Sequence, residues 1–312
     1  MSNQSVEGIY LSSHMENILF SAFYIVIFIL SVPSNALALW VFYHNTNNSP
    51  SKVFLKHLAI ADMSYVLVLP MRVIYHMSDG HWPLGEGACR VVGFLFFVNL
   101  YCSVYFITCI SVDRLVACVL PYRAPKLRKA KYAKVVCAIL WVMVTISMMP
   151  VLFSKKQVTQ WQNVTVCKQL YIEKSSNPTG AVVSTAVAFI IPLVTLSVSY
   201  ILIFFKIKQM TFQERMPAQR KAMRMIVLTV LNFLIAFVPY HIHRFVFIIQ
   251  LDDMSRSESE RQTLHLGNRI TSALTCMSGV LDPVMYFFLA RNYQATLLQF
   301  CGRNAKEEQS TA

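Results

Sequence analysis

Seven long apolar stretches constrain this chain more than any other feature of its sequence. Each runs for roughly 20 residues or more, which lets a helix cross the hydrocarbon core of a bilayer, about 30 Å thick. The stretches are Ile18–Phe42, Val53–His76, Cys89–Val119, Tyr132–Phe153, Ala181–Phe205, Met223–Gln250 and Leu264–Leu289. Within lipid, only helices and closed β-barrels satisfy every backbone hydrogen bond. The apolar residues of these stretches are continuous, whereas barrel strands alternate apolar and polar residues. We therefore predict an all-α membrane protein, a seven-transmembrane helix bundle.

Composition and charge agree with this class. The chain of 312 residues is 55% hydrophobic and only 14% charged, with a mean hydropathy of +0.49, whereas a soluble chain carries about 25% charged residues. Lysine and arginine concentrate in the segments 123–134, 206–224 and 291–306. The positive-inside rule places these segments in the cytoplasm and the N-terminus outside. The net charge of +13 then reflects topology and attraction to the anionic inner leaflet, and nucleic-acid binding is the weaker explanation.

The same pattern predicts the domain organisation and the location of the chain. Residues 1–17 form an extracellular tail without Lys or Arg, so the first helix is expected to act as an uncleaved signal anchor in the plasma membrane. Residues 18–289 form the bundle. Residues 290–312 form a short amphipathic eighth helix, predicted over Arg291–Phe300, and a cytoplasmic tail. Sequons predict glycosylation at Asn3 and Asn163. For Cys301, palmitoylation and a free thiol are equally good interpretations.

Two of the eight cysteines are set apart by their position. Five others lie within apolar stretches, where small core hydrophobes are the simplest interpretation. Cys89 opens the third stretch on the outer side, and Cys167 lies in the outer loop after the fourth. Both face an oxidising compartment, so we predict a disulfide between them that ties this loop over the mouth of the bundle.

Several ionisable residues lie in or beside the apolar stretches. A charged side chain costs free energy within a membrane, so each of these residues is a candidate functional residue. Asp113 and Arg114, at the inner end of the third stretch, are expected to form a charge-assisted pair that holds the inner half closed. Asp62, in the middle of the second stretch, must be neutralised, be paired or hold a cation. Ser103 and Asp282 are plausible partners for it, since oxygen ligands suit a small hard cation.

Prolines interrupt three of the stretches. Pro192, Pro239 and Pro283 each remove a helix hydrogen bond and create points where a helix can bend. Weak points of this kind, together with an ion pair that can open, make a two-state element that a ligand can bias.

An ordered set of motifs resembles the rhodopsin-like (class A) G-protein-coupled receptors over nearly the whole chain. The matching positions are Asn35, Asp62 in Leu58-Ala-Ile-Ala-Asp62, Cys89 with Cys167, Asp113-Arg114, Trp141, Pro192, Tyr200, Phe237-Val-Pro-Tyr240 and Asp282-Pro-Val-Met-Tyr286. Three positions depart from the family pattern: Leu115 replaces Tyr, Phe237 replaces Trp and Asp282 replaces Asn. The departure at Leu115 puts family-typical basal activity in doubt.

The resemblance implies a mechanism. Activation moves Arg114 toward Tyr200 and Tyr286, where it contacts a heterotrimeric G protein, most often of the inhibitory class in this branch. The family also implies a sodium ion at Asp62, Ser103 and Asp282, for which a water-filled polar cluster is the alternative. The segment Arg303–Ala312 holds few Ser or Thr residues, so weak recruitment of arrestin through it is expected.

Basic and aromatic residues near the outer ends of the stretches predict the ligand. His241 and Arg244 share one helix face, and the motif they form resembles the nucleotide (purinergic) receptors and their lipid-mediator neighbours. With Arg72 and Arg269 they can bind phosphate or carboxylate. The ligand expected is an anionic nucleotide or acidic lipid. The alternative is internal salt bridges, for which the candidates are Asp79, Glu86, Glu173, Asp252 and Asp253.

Aromatic side chains on the third stretch complete the predicted ligand site: Phe94, Phe97, Tyr101 and Tyr105. They can stack on a base or line an acyl tunnel, or simply pack against neighbouring helices. A second outer disulfide, frequent in this receptor subgroup, is absent, because neither Met1–Asn17 nor Asp252–Gln262 contains a cysteine.

Two other classes of function are alternatives to a receptor for an anionic ligand. A receptor that signals without agonist is compatible with the altered motif positions. An enzyme or transporter is disfavoured, because the sequence shows no nucleophile with an obvious base and no inverted repeat. His241 and His243 lie on different helix faces, so they do not predict a shared metal.

Overall fold

The computed structural model describes residues 13–44, 49–154, 157–161, 164–168, 178–209, 224, 226–250, 257–289 and 291–300. Within these residues, seven helices are long and apolar enough to cross a membrane, which confirms the predicted bundle. They are helix 1 (His14–His44), helix 2 (Pro50–Met77), helix 3 (Gly85–Val119), helix 4 (Ala130–Phe153), helix 5 (Pro178–Lys208), helix 6 (Ile226–Gln250) and helix 7 (Glu258–Thr275 and Ser278–Leu289). The predicted sites at Asn3, Asn163 and Cys301 lie outside the described residues.

Helix 3 lies at the centre of the bundle and helix 4 at its edge. In the most apolar window of helix 3, 67% of the residues are buried, against 11% in helix 4. Isoleucines such as Ile139 and Ile146 point outward from helix 4 and are more than half exposed. Since lipid is as apolar as these side chains, such a surface is stable in a bilayer but not in water. Helix 3 therefore contacts most of the bundle and carries side chains to both ends.

Three of the membrane helices are irregular. Helix 2 is broken between Val66 and Leu69, directly before Pro70, which lacks a backbone N–H. Helix 6 contains a π-helical segment, Phe233–Phe237, two residues before Pro239. Helix 7 is interrupted by a turn after Thr275. A π segment is most often found at a functional site, and this one includes the predicted switch residue Phe237.

Short helices close the bundle end that carries the basic segments 123–134 and 291–306. Ala124–Leu127 forms one turn between helices 3 and 4. Helix 8, Arg291–Phe300, has the bounds that the sequence predicted. Its Tyr293 is buried, and the phenol donates a hydrogen bond of 3.3 Å to the carbonyl oxygen of Ser34 on helix 1. We call this the inner end.

A disulfide-linked hairpin marks the opposite, outer end. Strands β1 (Val158–Trp161) and β2 (Val164–Cys167) pair antiparallel. Cys167 is bonded to Cys89 at the start of helix 3, as predicted. The backbone N–H of Trp82, before helix 3, donates to the carbonyl oxygen of Thr165 at 2.7 Å. These bonds fix the hairpin against the outer end of helix 3.

Candidate ligand site and activation elements

Arg72 is an outer arginine that has no carboxylate partner among the described residues. It comes from the second segment of helix 2 and is only 3% exposed. One guanidinium nitrogen donates to the hydroxyl of Tyr24 at 3.2 Å. The guanidinium carbon lies 5.0 Å from the ring centre of Phe96 and 5.7 Å from that of Tyr65. Within the described residues it makes no ion pair, so its charge is stabilised by aromatic faces and by the hydrogen bond to Tyr24.

Arg244 is a second outer arginine of this kind. Its Nε donates to the hydroxyl of Thr185 on helix 5 at 3.3 Å, and its guanidinium carbon lies 5.6 Å from the ring centre of Phe97. It too lacks an ion-pair partner in the part of the chain that the structure describes. A guanidinium in such surroundings is suited to a bidentate phosphate or carboxylate.

An aromatic bridge joins the two arginines. Phe96 lies 5.1 Å from Phe97 and 5.6 Å from Tyr240 of helix 6, measured between ring centres and with edge-to-face geometry. We call Phe96, Phe97 and Tyr240 the aromatic bridge. The sequence prediction included Phe97 but missed Phe96 and gave Tyr240 no ligand role. The side chains of Phe96 and Phe97 could not be told apart by sequence, since both belong to one apolar run.

His241 and Tyr101 lie deeper than Arg244. The His241 ring stacks on Phe189 with centroids 4.1 Å apart and meets Tyr101 edge-on at 6.1 Å. Its Nδ1 lies 2.8 Å from the carbonyl oxygen of Phe237, and the side chain is fully buried. These residues form a floor beneath the arginines. Tyr105, one turn further in, is half-buried and makes no ring contact with other described residues.

Arg269 differs from the other two predicted arginines because its charge is already paired. It forms an ion pair of 3.2 Å with Glu16, a residue of helix 1. Internal pairing is the alternative to ligand binding for these arginines. Here it holds for this arginine, with a carboxylate that the sequence did not indicate. Of the candidate carboxylates, Glu86 pairs with Arg90 at 2.6 Å and Asp79 with His14 at 2.8 Å.

At the inner end, the predicted pair between Asp113 and Arg114 is wrong. The Asp113 carboxylate instead accepts hydrogen bonds of 2.8 and 2.9 Å from Arg128, which follows the short helix, and a further bond from Ser51. Neighbouring residues of a helix do not face each other, so Arg114 points elsewhere. It makes no hydrogen bond or ion pair with the described residues. The hydrogen bond to Asp113 raises the pKa of Arg128 further above its ordinary value.

The two switch tyrosines form hydrogen bonds with residues other than Arg114. The hydroxyl of Tyr200 lies 2.8 Å from that of Ser111 on helix 3. Tyr286 is fully buried, meets the rings of Phe42 and Tyr293 edge-on, and donates to Asp62 at 3.5 Å. Movement of Arg114 toward either tyrosine would therefore require these contacts to change.

A cluster of buried oxygen atoms surrounds Asp62. The Asn99 amide donates to Asp62 at 3.1 Å and to Ser103 at 3.4 Å, which brings these two predicted partners together. Asp282 interacts with Asp62 and accepts from the Asn232 amide at 2.6 Å. The sequence missed Asn99 and Asn232 because single amides in an apolar run carry no spacing signal. Two carboxylates and a hydroxyl are the donor set that a hard monovalent cation accepts, so these residues fit the sodium ion that the family implies.

Comparison with known proteins matches this architecture to one family. Residues 34–286 match the family of 7 transmembrane receptors (rhodopsin family). The chain belongs to this family of G-protein-coupled receptors. It is 48% identical over 284 residues to the uracil nucleotide/cysteinyl leukotriene receptor of Rattus norvegicus, covering 91% of this chain and 83% of the rat protein. The human receptor of that name is 46% identical over 295 residues, covering 94% of this chain and 79% of the human protein. Cysteinyl leukotriene receptor 1 of Mus musculus is 33% identical over 290 residues, or 91% and 82% of the two chains.

Membership of this family decides several of the predictions. The chain is a receptor rather than an enzyme, of the nucleotide and cysteinyl leukotriene receptor type. It is a multi-pass protein of the plasma membrane that binds small-molecule ligands and couples to G proteins. The resemblance found in the sequence motifs is therefore confirmed.

Proposed function

We propose that this receptor binds an extracellular anion, a nucleotide or an acidic lipid mediator, with its outer end and N-terminus facing the cell exterior, and activates a G protein of the inhibitory class. The observation that carries the proposal is the pair Arg72 and Arg244, which lack carboxylate partners among the described residues and flank the aromatic bridge. The names of the relatives point the same way, since uracil nucleotides and cysteinyl leukotrienes are both anions. A fixed guanidinium pair with aromatic faces can take the phosphate or carboxylate of either class.

Replacing Arg244 with Gln tests this proposal. The loss of one charge-assisted hydrogen bond is expected to lower agonist potency about tenfold. Panels of nucleotides and acidic lipids would be applied to cells, with G-protein activation recorded with and without pertussis toxin, which uncouples the inhibitory class. The class of compound that activates the receptor names the ligand, and loss of the signal in toxin identifies the G protein.

Arg90→Gln is the matched control for Arg244→Gln. Arg90 lies at the outer end of helix 3 but is already paired with Glu86, so its loss is expected to leave potency unchanged. An anionic agonist that acts equally on the parent receptor and on Arg244→Gln and Arg72→Gln would refute the proposed site.

A sodium ion is proposed for the polar cluster in the middle of the bundle. Asp62, Ser103 and Asp282 would hold it, and Asn99 would orient the Asp62 carboxylate through its 3.1 Å hydrogen bond. The ion would supply positive charge that two neighbouring buried carboxylates otherwise lack. A sodium ion bound there would stabilise one of the two conformational states of the bundle.

Signalling without agonist is proposed as a second property, because Arg114 has no ion-pair partner among the described residues. An unpaired arginine at the inner end is available to a G protein. Basal G-protein activation above that of untransfected cells is expected, and Arg114→Ala is expected to remove it while leaving cell-surface amounts unchanged. A basal signal that persists in Arg114→Ala would exclude this origin.

A further inference from the structure

The ion pair between Arg269 and Glu16 is part of a larger buried cluster at the outer ends of helices 1, 2 and 7. One terminal nitrogen of Arg269 lies 3.2 Å from Glu16; the other lies 3.0 Å from Asn17 Oδ1 and 3.3 Å from His76 Nδ1. His76 Nδ1 also lies 3.0 Å from the same Asn17 oxygen. We call these four residues, Glu16, Asn17, His76 and Arg269, the outer clasp.

The clasp is well shielded from water. The side chain of Arg269 is 3% exposed and that of Glu16 is 23% exposed. The guanidinium carbon of Arg269 also lies 4.8 Å from the ring centre of Phe20. When one partner of a shielded pair is removed, the remaining charge is left without compensation. Glu16 is therefore a poor candidate to be exchanged for an incoming ligand anion.

A continuous row of rings connects the clasp to Arg72. His76 stacks on Phe20 at 5.2 Å and on Tyr24 at 5.6 Å. The hydroxyl of Tyr24 accepts the 3.2 Å hydrogen bond from Arg72, the only hydrogen bond that Arg72 makes within the described residues. A change in the position of His76 is thus transmitted through Tyr24 to the guanidinium that faces the aromatic bridge.

We propose that Glu16 and Arg269 are positioning residues: their clasp fixes helix 1 against helix 7 and, through His76 and Tyr24, orients Arg72 toward the ligand anion. Arg269 itself does not bind that anion. The clasp joins the first turn of helix 1 to helix 7. In the receptor subgroup a disulfide frequently links the segments that correspond to Met1–Asn17 and Asp252–Gln262, which hold no cysteine in this sequence. This inference rests on the proposed function, because it assigns Arg72 to the ligand.

The agonist potency of Glu16→Gln distinguishes positioning from direct binding, because positioning predicts a lower potency and direct binding does not. Glu16→Gln and Arg269→Gln are each expected to lower agonist potency about fivefold, and the double variant is expected to be no worse than either single one. The exchanged variant Glu16→Arg/Arg269→Glu is expected to recover part of the loss. If Arg269 bound the anion directly, Glu16→Gln would free its charge, and potency would stay the same or rise. That result would overturn the proposal.

A second comparison tests the path through Arg72. Glu16→Gln is expected to have no further effect on potency in an Arg72→Gln receptor but to keep its fivefold effect in an Arg244→Gln receptor. An equal effect in both backgrounds would indicate a general structural role and overturn the assignment to Arg72.

A ligand-free measurement keeps this inference separate from the proposed function. Heat unfolding of the purified receptor can be followed by a thiol-reactive dye, since Cys102 and Cys137 are free and buried. Glu16→Gln and Arg269→Gln are expected to lower the unfolding temperature equally, with a smaller change for Arg90→Gln, whose pair with Glu86 is more exposed. Unchanged unfolding temperatures would refute the clasp. Reduced temperatures in a receptor that no anion activates would leave the clasp standing and refute the proposed function.

Discussion

Cys167→Ser is expected to lower the free energy of unfolding by about 2–5 kcal/mol, the usual range for loss of a native disulfide. The bond between Cys89 and Cys167 closes a segment across 78 positions of sequence and holds the β1–β2 hairpin at the outer end of helix 3. Without it, the hairpin keeps noncovalent contacts such as the hydrogen bonds of Thr165 with Trp82 and with the His81 ring. We expect a smaller fraction of the protein at the cell surface and a lower unfolding temperature. Surface labelling and heat unfolding of the purified receptor measure both.

Three variants make this result specific to the disulfide. Cys89→Ser is expected to match Cys167→Ser, and the double variant to be no worse, because both remove one bond. Cys109→Ser removes a free thiol from helix 3 and is expected to have little effect. If Cys167→Ser has the same surface amount and unfolding temperature as the parent receptor, the hairpin is held by its other contacts.

The membrane architecture was predictable because it depends on a property that is local in sequence. A helix must be apolar over about 20 residues to cross a bilayer, whatever its neighbours are. The seven stretches therefore appear in the structure as seven helices, and the amphipathic run Arg291–Phe300 appears as helix 8. The ends of the helices were not predicted as closely. Helix 1 starts at His14, four residues before the predicted stretch. Polar contacts of Glu16 and Asn17, rather than lipid, stabilise its first turn.

The partners of charged residues were not predictable, because they depend on contacts between distant segments. Asp113 and Arg114 are adjacent in sequence, yet adjacent positions on a helix project in different directions. Arg128 reaches Asp113 only because the turn Ala124–Leu127 folds the loop back under helix 3. Likewise, Glu16 and Arg269 are 253 positions apart. The residue types in the outer site were predictable, but the division between ligand-facing and internally paired arginines was not.

Arg128→Ala is expected to lower both basal and agonist-driven G-protein activation, by roughly 10- to 100-fold in the signalling equilibrium for a charge-assisted pair of 1.5–3 kcal/mol. Arg128 and Arg114 compete for a single carboxylate, and Asp113 is 5% exposed in its side chain. Without Arg128, this shielded charge lacks its compensating partner. Arg114 already interacts electrostatically with Asp113, and we expect its long side chain to turn toward the carboxylate that Arg128 has left. Once bound to Asp113, Arg114 is withdrawn from the G protein. Concentration–response curves for G-protein activation, normalised to surface receptor, measure the change.

Removing the carboxylate as well decides whether competition is the cause. In Arg128→Ala/Asp113→Asn no anion remains to hold Arg114, so signalling is expected to recover to at least the parent amount. Lys126→Ala is the control for loss of positive charge in the same loop, since Lys126 is exposed, and little change is expected. A rise in basal activation in Arg128→Ala would show instead that the Arg128–Asp113 pair restrains the receptor. A fall that the double variant fails to reverse would mean that Arg128 itself contacts the G protein.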